Sequence, residues 1–267
     1  MSALALYLRY AGASVRGQMQ YPASFLLLSF SQLVVTGIEF IGVWALFARF
    51  GTIEGWTLGE VAVFYGVVNV AFAVADTFTR GFDIFGSEFV RTGNFDRMLL
   101  RPRAAAFQLL GYEVRLSRLG RLAQAIVVFA IGVALTHLRF EVRVVGLIAW
   151  AIVGGAMLFS GVMVLTATLA FWTVESLELV NVISYGGVEA AQYPLNIYAA
   201  WLRNFLIFVV PIGCVAYFPV VAALGHPDPL GAPPWLEALS PAAGFLFLGV
   251  SLLIWGVGVR RYRSTGS

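Results

Sequence analysis

Between residues 76 and 121 the sequence contains eight of the chain's 17 arginines, and phenylalanines alternate with the charged residues there. The phenylalanines that follow this pattern are Phe82, Phe85, Phe89 and Phe95. Such a segment suits amphipathic helices that lie along a membrane surface with their aromatic residues embedded. It also suits a short stiff helix that docks into a groove on a partner protein. The residues alone leave both interpretations open.

Turn signals divide this arginine-rich segment. Gly93-Asn94 breaks the helical pattern, and Arg101-Pro102 marks a second turn. We therefore expect a short helix between these two turns. If it lies at a membrane surface, its exposed side is either a surface that sets topology and contacts anionic lipid, or a docking surface that a partner moves.

A second group of polar residues lies inside an apolar stretch. Ser29, Gln32, Thr36 and Glu39 are spaced three, four and three residues apart, which places them along one face of a helix. A glutamate in hydrocarbon costs several kcal/mol, so we expect Glu39 to face protein or water. This face predicts an intramembrane hydrogen bond, a dimer contact or part of a substrate pathway.

A third group repeats at three-residue spacing and comprises Glu175, Glu178 and Asn181. An apolar stripe accompanies it, which is typical of an amphipathic helix at a membrane interface. The polar face is solvated, contacts a partner subunit or forms a lateral gate. We predict an interfacial gate here as the functional alternative.

Motifs of familiar enzymes do not occur in the sequence. There is no GxxxxGK[ST] pattern and no lysine, and GxSxG, HExxH and paired-cysteine motifs are also missing. Cys214 is the one cysteine, so a disulfide or cysteine metal site within the chain is excluded. We expect no catalytic residues, no bound metal and no enzyme activity in this chain, and we expect His137 and His226 to be solvated.

The composition requires a membrane. Hydrophobic residues make up 60% of the 267 residues and charged residues 12%, too few for a water-facing surface. The apolar runs have the length that a helix needs to cross a bilayer. We predict an all-α integral membrane protein with six transmembrane helices, at about 24–46, 58–75, 122–138, 144–171, 205–224 and 241–259.

The arginines predict the orientation. With six spans and a cytoplasmic N-terminus, 14 of the 17 arginines lie inside, and Arg49, Arg139 and Arg143 lie outside. Both termini are therefore expected in the cytoplasm. Residues 172–204 are less apolar, and we expect them to form an interfacial or partly buried helix. The whole chain, residues 1–267, is expected to be one membrane domain.

Five separated motifs resemble the type-2 ABC transporter permease family, in its six-helix branch. They are GWTLGEVAVFYG at 55–66, RGFDIFG at 80–86, RTGNFDRMLLRPR at 91–103, FWTVESLELVN at 171–181 and YPLNIY at 193–198. The resemblance extends over nearly the whole chain. It implies a permease that forms the translocation pathway of an exporter and is driven by a separate ATPase subunit.

The resemblance also implies an amphipathic cytoplasmic coupling helix between transmembrane helices two and three. The positions that match the family pattern are Gly93, Asp96, Arg97, Leu99, Leu100, Arg101 and Pro102, and we add Arg91, Asn94 and Phe95 to the predicted ATPase-coupling residues. ATP and Mg²⁺ would bind to the partner ATPase, and this chain itself would hold no cofactor.

The expected partners are an ABC ATPase, a second permease that is either identical or a similar paralogue, and membrane lipids. The basic charge reports topology, so we expect no nucleic acid. The expected location is the bacterial cytoplasmic (inner) membrane. Two other functions stay open from the residues: an ion-gradient-driven secondary transporter with Glu39 as the titrating group, and a membrane scaffold that does not transport.

Overall fold

The computed structural model describes residues 3–139, 141–173 and 186–262, and helices dominate these residues. In chain order they are α1 (Ala3–Met19), α2 (Pro22–Phe50), α3 (Leu58–Phe78), α4 (Arg80–Asp83), α5 (Asn94–Leu99), α6 (Ala105–Leu110), α7 (Leu119–Thr136), α8 (Val142–Leu169), α9 (186–191), α10 (Ala200–Phe208), α11 (Ile212–Val215), α12 (Tyr217–Leu224), α13 (Pro234–Leu239) and α14 (Ala242–Arg261). A π-helical turn covers Phe85–Val90, and 3₁₀ turns cover Leu116–Arg118 and Leu195–Ile197.

Five of these helices, α2, α3, α7, α8 and α14, are long and apolar enough to cross a membrane. Local sequence explains where they begin and end. Pro22 lies in the first turn of α2, where its missing N–H costs nothing. Thr57 and Glu60 form a capping box at the start of α3, in which the Thr57 N–H donates to the Glu60 carboxylate at 2.8 Å. The prediction of an all-α membrane protein is confirmed.

Helix α3 lies at the centre of the bundle, and most of its residues are buried between α7 and α8. Helix α14 packs along the other side of α8. Glycines let these helices approach closely. A Cβ atom on Gly244 of α14 would lie 2.0 Å from the Gly154 carbonyl oxygen of α8. Small residues at such contacts are typical of helix packing in membranes, where close backbone approach replaces the hydrophobic effect.

Helix α1 is an element that the sequence analysis did not predict. It is fastened to the segment that precedes α7, because Ser14 accepts a hydrogen bond from the Val114 N–H at 3.1 Å. Gln18 donates to the Val114 carbonyl at 2.6 Å and accepts from the Leu116 N–H at 3.1 Å. The polar side of α1 thus satisfies the backbone of a non-helical segment.

The bundle has two ends. We call the end at which α3 finishes and α7 begins the arginine-rich end. Phe171 lies there, 5.1 Å from Phe85 between ring centroids. At the opposite end, the Trp56 indole N–H donates to the Asn196 side chain at 2.9 Å. Phe171 and Asn196 therefore lie at opposite ends of the bundle.

The positions of Phe171 and Asn196 at opposite ends of the bundle bear on the expected topology. Residues 172–204 were expected to form an interfacial or partly buried helix, and 205–224 to form the fifth span. Instead, α10 and the pair α11–α12 are bent by 70° at their junction. They begin after Asn196 and finish beside His226, whose ring stacks on Trp56 at 4.3 Å, so both ends of this segment lie at the opposite end of the bundle.

Pro211 accounts for the break, because proline lacks an N–H donor and its ring clashes with the preceding helical turn. Residues 212–224 would cover only about 20 Å at 1.5 Å per residue, which is short of a hydrocarbon core. In the structure, the segment expected to form the fifth span is therefore a bent pair of helices whose two ends lie at the same end of the bundle. Tyr262 and α1 still lie together at the arginine-rich end.

A labelling experiment tests this correction. In a Cys214→Ala background, we expect Ala199→Cys and Val142→Cys to react with a membrane-impermeant maleimide from the same side, because both residues are exposed at the opposite end. Leu100→Cys should react from the other side. Labelling of Ala199→Cys from the Leu100 side would restore the interfacial assignment of residues 172–204.

Close packing between α2 and α7 gives a second prediction. A Cβ atom on Gly120 would lie 1.8 Å from the Ser29 carbonyl oxygen, whereas one on Gly146 of α8 meets nothing within 4 Å. Gly120→Ala should destabilise the protein by about 1–3 kcal/mol through overpacking. Gly146→Ala should be neutral or slightly stabilising because alanine favours helix. Thermal unfolding in detergent would compare them, and equal melting temperatures would contradict the α2–α7 contact.

Candidate functional site

The short helix α5 lies in the segment that, by the family resemblance, is expected to contact an ATPase. Gly93 precedes it in a left-handed conformation with φ 71°, which glycine adopts without strain. The Asn94 side chain donates to the Glu88 carbonyl at 3.1 Å. Gln108 of α6 donates to the carbonyls of Met98 and Arg103, each at 3.0 Å. Both ends of α5 are therefore held by hydrogen bonds from flanking segments.

The two faces of α5 differ sharply. Phe95 is fully buried and Met98 is 5% exposed, and these residues are three positions apart on one face. On the other side Leu100 is 86% exposed. The other exposed residues of this surface are Arg91, Asn94, Arg97, Leu99, Arg101 and Pro102. The surface combines aliphatic and guanidinium groups, and none of the residues that the structure describes covers it.

Phe95 enters a cluster of aromatic rings, which we call the aromatic cluster: Phe85, Phe95, Phe171, Trp255 and Tyr262. The Phe95 ring centroid lies 5.0 Å from that of Phe85, 5.6 Å from Phe171, 6.4 Å from Trp255 and 4.9 Å from Tyr262. Phe171 follows α8 and Trp255 belongs to α14. Through one side chain α5 therefore contacts both of these long helices.

Asp96 adds a polar contact beside the aromatic cluster. Burial raises the pKa of the Tyr262 hydroxyl, and the neighbouring Asp96 carboxylate raises it further. The tyrosine consequently stays protonated at neutral pH. Asp96 thus faces the end of α14, whereas Arg97 and Leu100 face away from the protein.

A buried polar network lies between α2, α3 and α7 near the arginine-rich end. Asp76, 1% exposed, forms an ion pair with Arg118 at 2.5 Å. Arg118 also donates to the Gln32 side chain at 2.9 Å. One α7 turn later, Arg121 donates twice to Asn69 at 2.9 and 3.1 Å. Its guanidinium carbon lies 4.5 Å from the centre of the Phe72 ring.

The predicted polar face of α2 is divided by this network. Gln32 contacts Arg118, and the carbonyl of buried Thr36 accepts from the Tyr65 hydroxyl at 3.1 Å and from Gln124 at 3.2 Å. Glu39 is instead exposed on the surface of the single chain. It lies within electrostatic range of Arg121 and Glu189. Gln32 and Thr36 thus hold helices together, and Glu39 stays exposed on the single chain.

Comparison with protein-family models matches the chain to the ABC-2 family transporter protein over residues 33–266. The chain belongs to the ABC-2 transporter family. It is a multi-pass membrane protein and a membrane permease component of an ABC transporter. Searches of curated proteins and of solved structures gave no match. Membership in this ABC-2 family favours transport powered by ATP over the ion-gradient alternative.

Some predicted positions lie beyond what the structure describes. Glu175, Glu178 and Asn181, the expected interfacial gate of this ABC-2 transporter, fall in 174–185, outside the described residues. Within the described ranges, no group of three or more histidine, cysteine, aspartate or glutamate residues could hold a metal ion.

Sequence reasoning missed the polar network of the ABC-2 chain. It treated the arginines near Arg118 as part of a surface, although Asp76 and Asn69 interrupt an apolar run on α3. Exposing such residues to lipid without a partner costs too much free energy. A buried basic partner could therefore have been predicted, although not which arginine supplies it. The choice of Arg118 and Arg121 as partners needed the packing of α7.

The ion pair gives a third prediction. Arg118→Gln should destabilise the protein by about 3–5 kcal/mol, because it leaves Asp76 buried without its partner. The double variant Asp76→Asn, Arg118→Gln should recover part of that loss. Arg139→Gln, at an exposed arginine, is the control. Chemical unfolding in detergent measures all three, and a double variant that is no more stable than Arg118→Gln would show that the pair does not couple.

Proposed function

We propose that the chain forms the translocation pathway of a bacterial exporter and that residues 91–102 receive a separate ATPase subunit. The observation that carries the proposal is the two-sided character of α5. Its outer surface is exposed and its inner residue Phe95 contacts elements of two long helices. A subunit that binds the outer surface can therefore move the bundle.

In the proposed cycle, ATP and Mg²⁺ bind to the ATPase, and closure of that subunit displaces α5. The aromatic cluster then carries the displacement to the ends of α8 and α14. Protein cores move between discrete packings rather than deforming continuously, so a small shift at α5 can select a different arrangement of the helices. The permease residues bind and move, and the ATPase supplies the energy.

The distribution of arginines supports the orientation. Arg91, Arg97, Arg101 and Arg103 lie exposed at the arginine-rich end, which by the positive-inside rule faces the cytoplasm. This orientation places α5 where an ATPase can reach it. The described start and end of the chain lie at the same end, so cytoplasmic termini and an inner-membrane location are part of the proposal.

A second permease, identical or paralogous, completes the proposed complex. Helix α2 is 29 residues long, yet Thr36, Val43 and Phe47 are its only fully buried residues. Glu39 is exposed on the same helix, and a lone carboxylate is costly in lipid. A second permease that packs near α2 would enclose Glu39 in a hydrated pathway between the two subunits.

The docking surface is tested by co-purification. We expect the double variant Leu100→Asp, Arg101→Glu to lose at least 90% of the ATPase that wild-type permease retains, because it reverses a charge and removes an exposed apolar contact. The measurement is the amount of each candidate ATPase that co-purifies with tagged permease from membranes.

The chain offers a matched control at the opposite end. Val142 is 92% exposed and Arg143 follows it, so Val142→Asp, Arg143→Glu makes the same chemical change away from α5. This control should retain the ATPase, with membrane insertion equal in all variants. Equal retention by both double variants would refute docking at α5, and loss from both would show that the effect is not local.

A further inference from the structure

A cleft opens beside the elbow between α1 and α2, at the arginine-rich end. It has a volume of about 500 Å³ and is lined by the end of α1, by one side of α2 and by residues that precede α7. Along α2 it extends from Ser24 to Gln32, about 12 Å at 1.5 Å per residue. The cleft therefore begins near the membrane surface and reaches into the depth of the hydrocarbon.

The lining of this cleft is amphipathic. Phe25 and Leu28 supply apolar surface, whereas Ser24, Ser31 and Ser117 supply hydroxyl groups. Acyl chains alone would leave these hydroxyls without partners, and unsatisfied polar groups are costly in an apolar medium. The lining thus suits a molecule with both a polar head and an apolar tail.

The charged residues at the cleft indicate which headgroup the cleft can bind. Arg118 is already engaged by Asp76 and Gln32. Two partly exposed charged residues remain at the cleft, Glu113 and Arg115, whose side chains lie 3.9 Å apart in a loose ion pair; the second Glu113 carboxylate oxygen lies 4.0 Å from Arg80. One positive and one negative group at the same opening match a headgroup that carries both signs.

The guanidinium of Arg115 is partly buried and lies near other positive charges. Burial lowers its pKa, and the like charges of Arg80 and Arg118 lower it further, with only partial compensation by Glu113 and Asp76. A phosphate beside Arg115 would relieve this repulsion. A purely anionic head would also meet the Glu113 carboxylate, and an ammonium group on the ligand removes that conflict.

We infer that this cleft binds the zwitterionic headgroup of a phospholipid, with its phosphate at Arg115 and its ammonium at Glu113. The acyl chains lie along Phe25 and Leu28. The assignment to the cytoplasmic leaflet rests on the proposed function, because it uses the orientation argued there. As a lateral opening beside α2, the cleft gives an amphiphilic molecule of that leaflet a place to enter the permease.

Native mass spectrometry of the full chain tests the site. The purified permease, without ATPase or nucleotide, is equilibrated with equal amounts of phosphatidylethanolamine and phosphatidylglycerol that have identical acyl chains. Wild type should retain the zwitterionic lipid preferentially. Glu113→Gln should shift the ratio about threefold towards phosphatidylglycerol, the size expected for one partly exposed charge contact.

Arg115→Gln should lose both lipids from the site, and Arg115→Lys should restore them in part because it keeps the positive charge. A matched control exists, since Glu113-Val114-Arg115 recurs as Glu141-Val142-Arg143 at the opposite end. Glu141→Gln should leave the lipid ratio unchanged. Identical ratios in wild type and Glu113→Gln would overturn the inference and leave only unselective annular lipid.

A second measurement does not depend on variants that alter charge. A photoreactive amino acid at Ser31 should cross-link to phosphatidylethanolamine, and an excess of soluble glycerophosphoethanolamine should not compete. Full competition by the soluble compound would overturn a lipid ligand in favour of a free one. Because these assays contain no ATPase, a failure of ATPase docking at α5 would leave their results unchanged.

Discussion

The burial of Phe95 is the contact on which the rest of the candidate site depends. A helix of six residues is too short to be stable by its own hydrogen bonds. Its position is set by the Phe95 ring among Phe85, Phe171 and Trp255, together with buried Met98 and the hydrogen bonds at both ends of the helix. The exposed surface of α5 has a defined orientation only because the opposite face is held in this way.

The same contact links distant parts of the chain. Phe171 follows α8, and Tyr262 ends the described C-terminal part after α14, so rings from three regions converge on α5. Aromatic rings bury large contact areas, and their edge-to-face pairs favour particular arrangements. In the proposed function, this cluster links the surface of α5 to helices that cross the membrane.

Polar residues inside the bundle serve a different purpose. Asp76 with Arg118 and Asn69 with Arg121 connect α3 to α7 close to the arginine-rich end. Buried charges of this kind are costly when separated, so they fix the relative position of the two helices. The neighbouring cleft with Glu113 and Arg115 borders this fixed region, which gives its charged groups a stable frame.

The sequence by itself determined the helical membrane class. It also placed the five long helices to within a few residues and predicted the short helix between Gly93 and Pro102. Apolar run length, turn residues and the positive-inside rule are local signals, and each acts without knowledge of the fold. They also predicted an even number of transmembrane spans, one of which was expected at 205–224.

Only the tertiary structure decided which residues face each other. Composition does not distinguish a re-entrant segment from a span, because both must be apolar, and the bend at Pro211 became decisive once Asn196 was found beside Trp56. Likewise, the spacing of Gln32, Thr36 and Glu39 placed them on one side of α2 but did not reveal that α7 covers the first two and leaves Glu39 exposed. Periodicity specifies a direction around one helix axis, whereas burial depends on a second helix whose approach is set by glycines and buried charges far away in sequence.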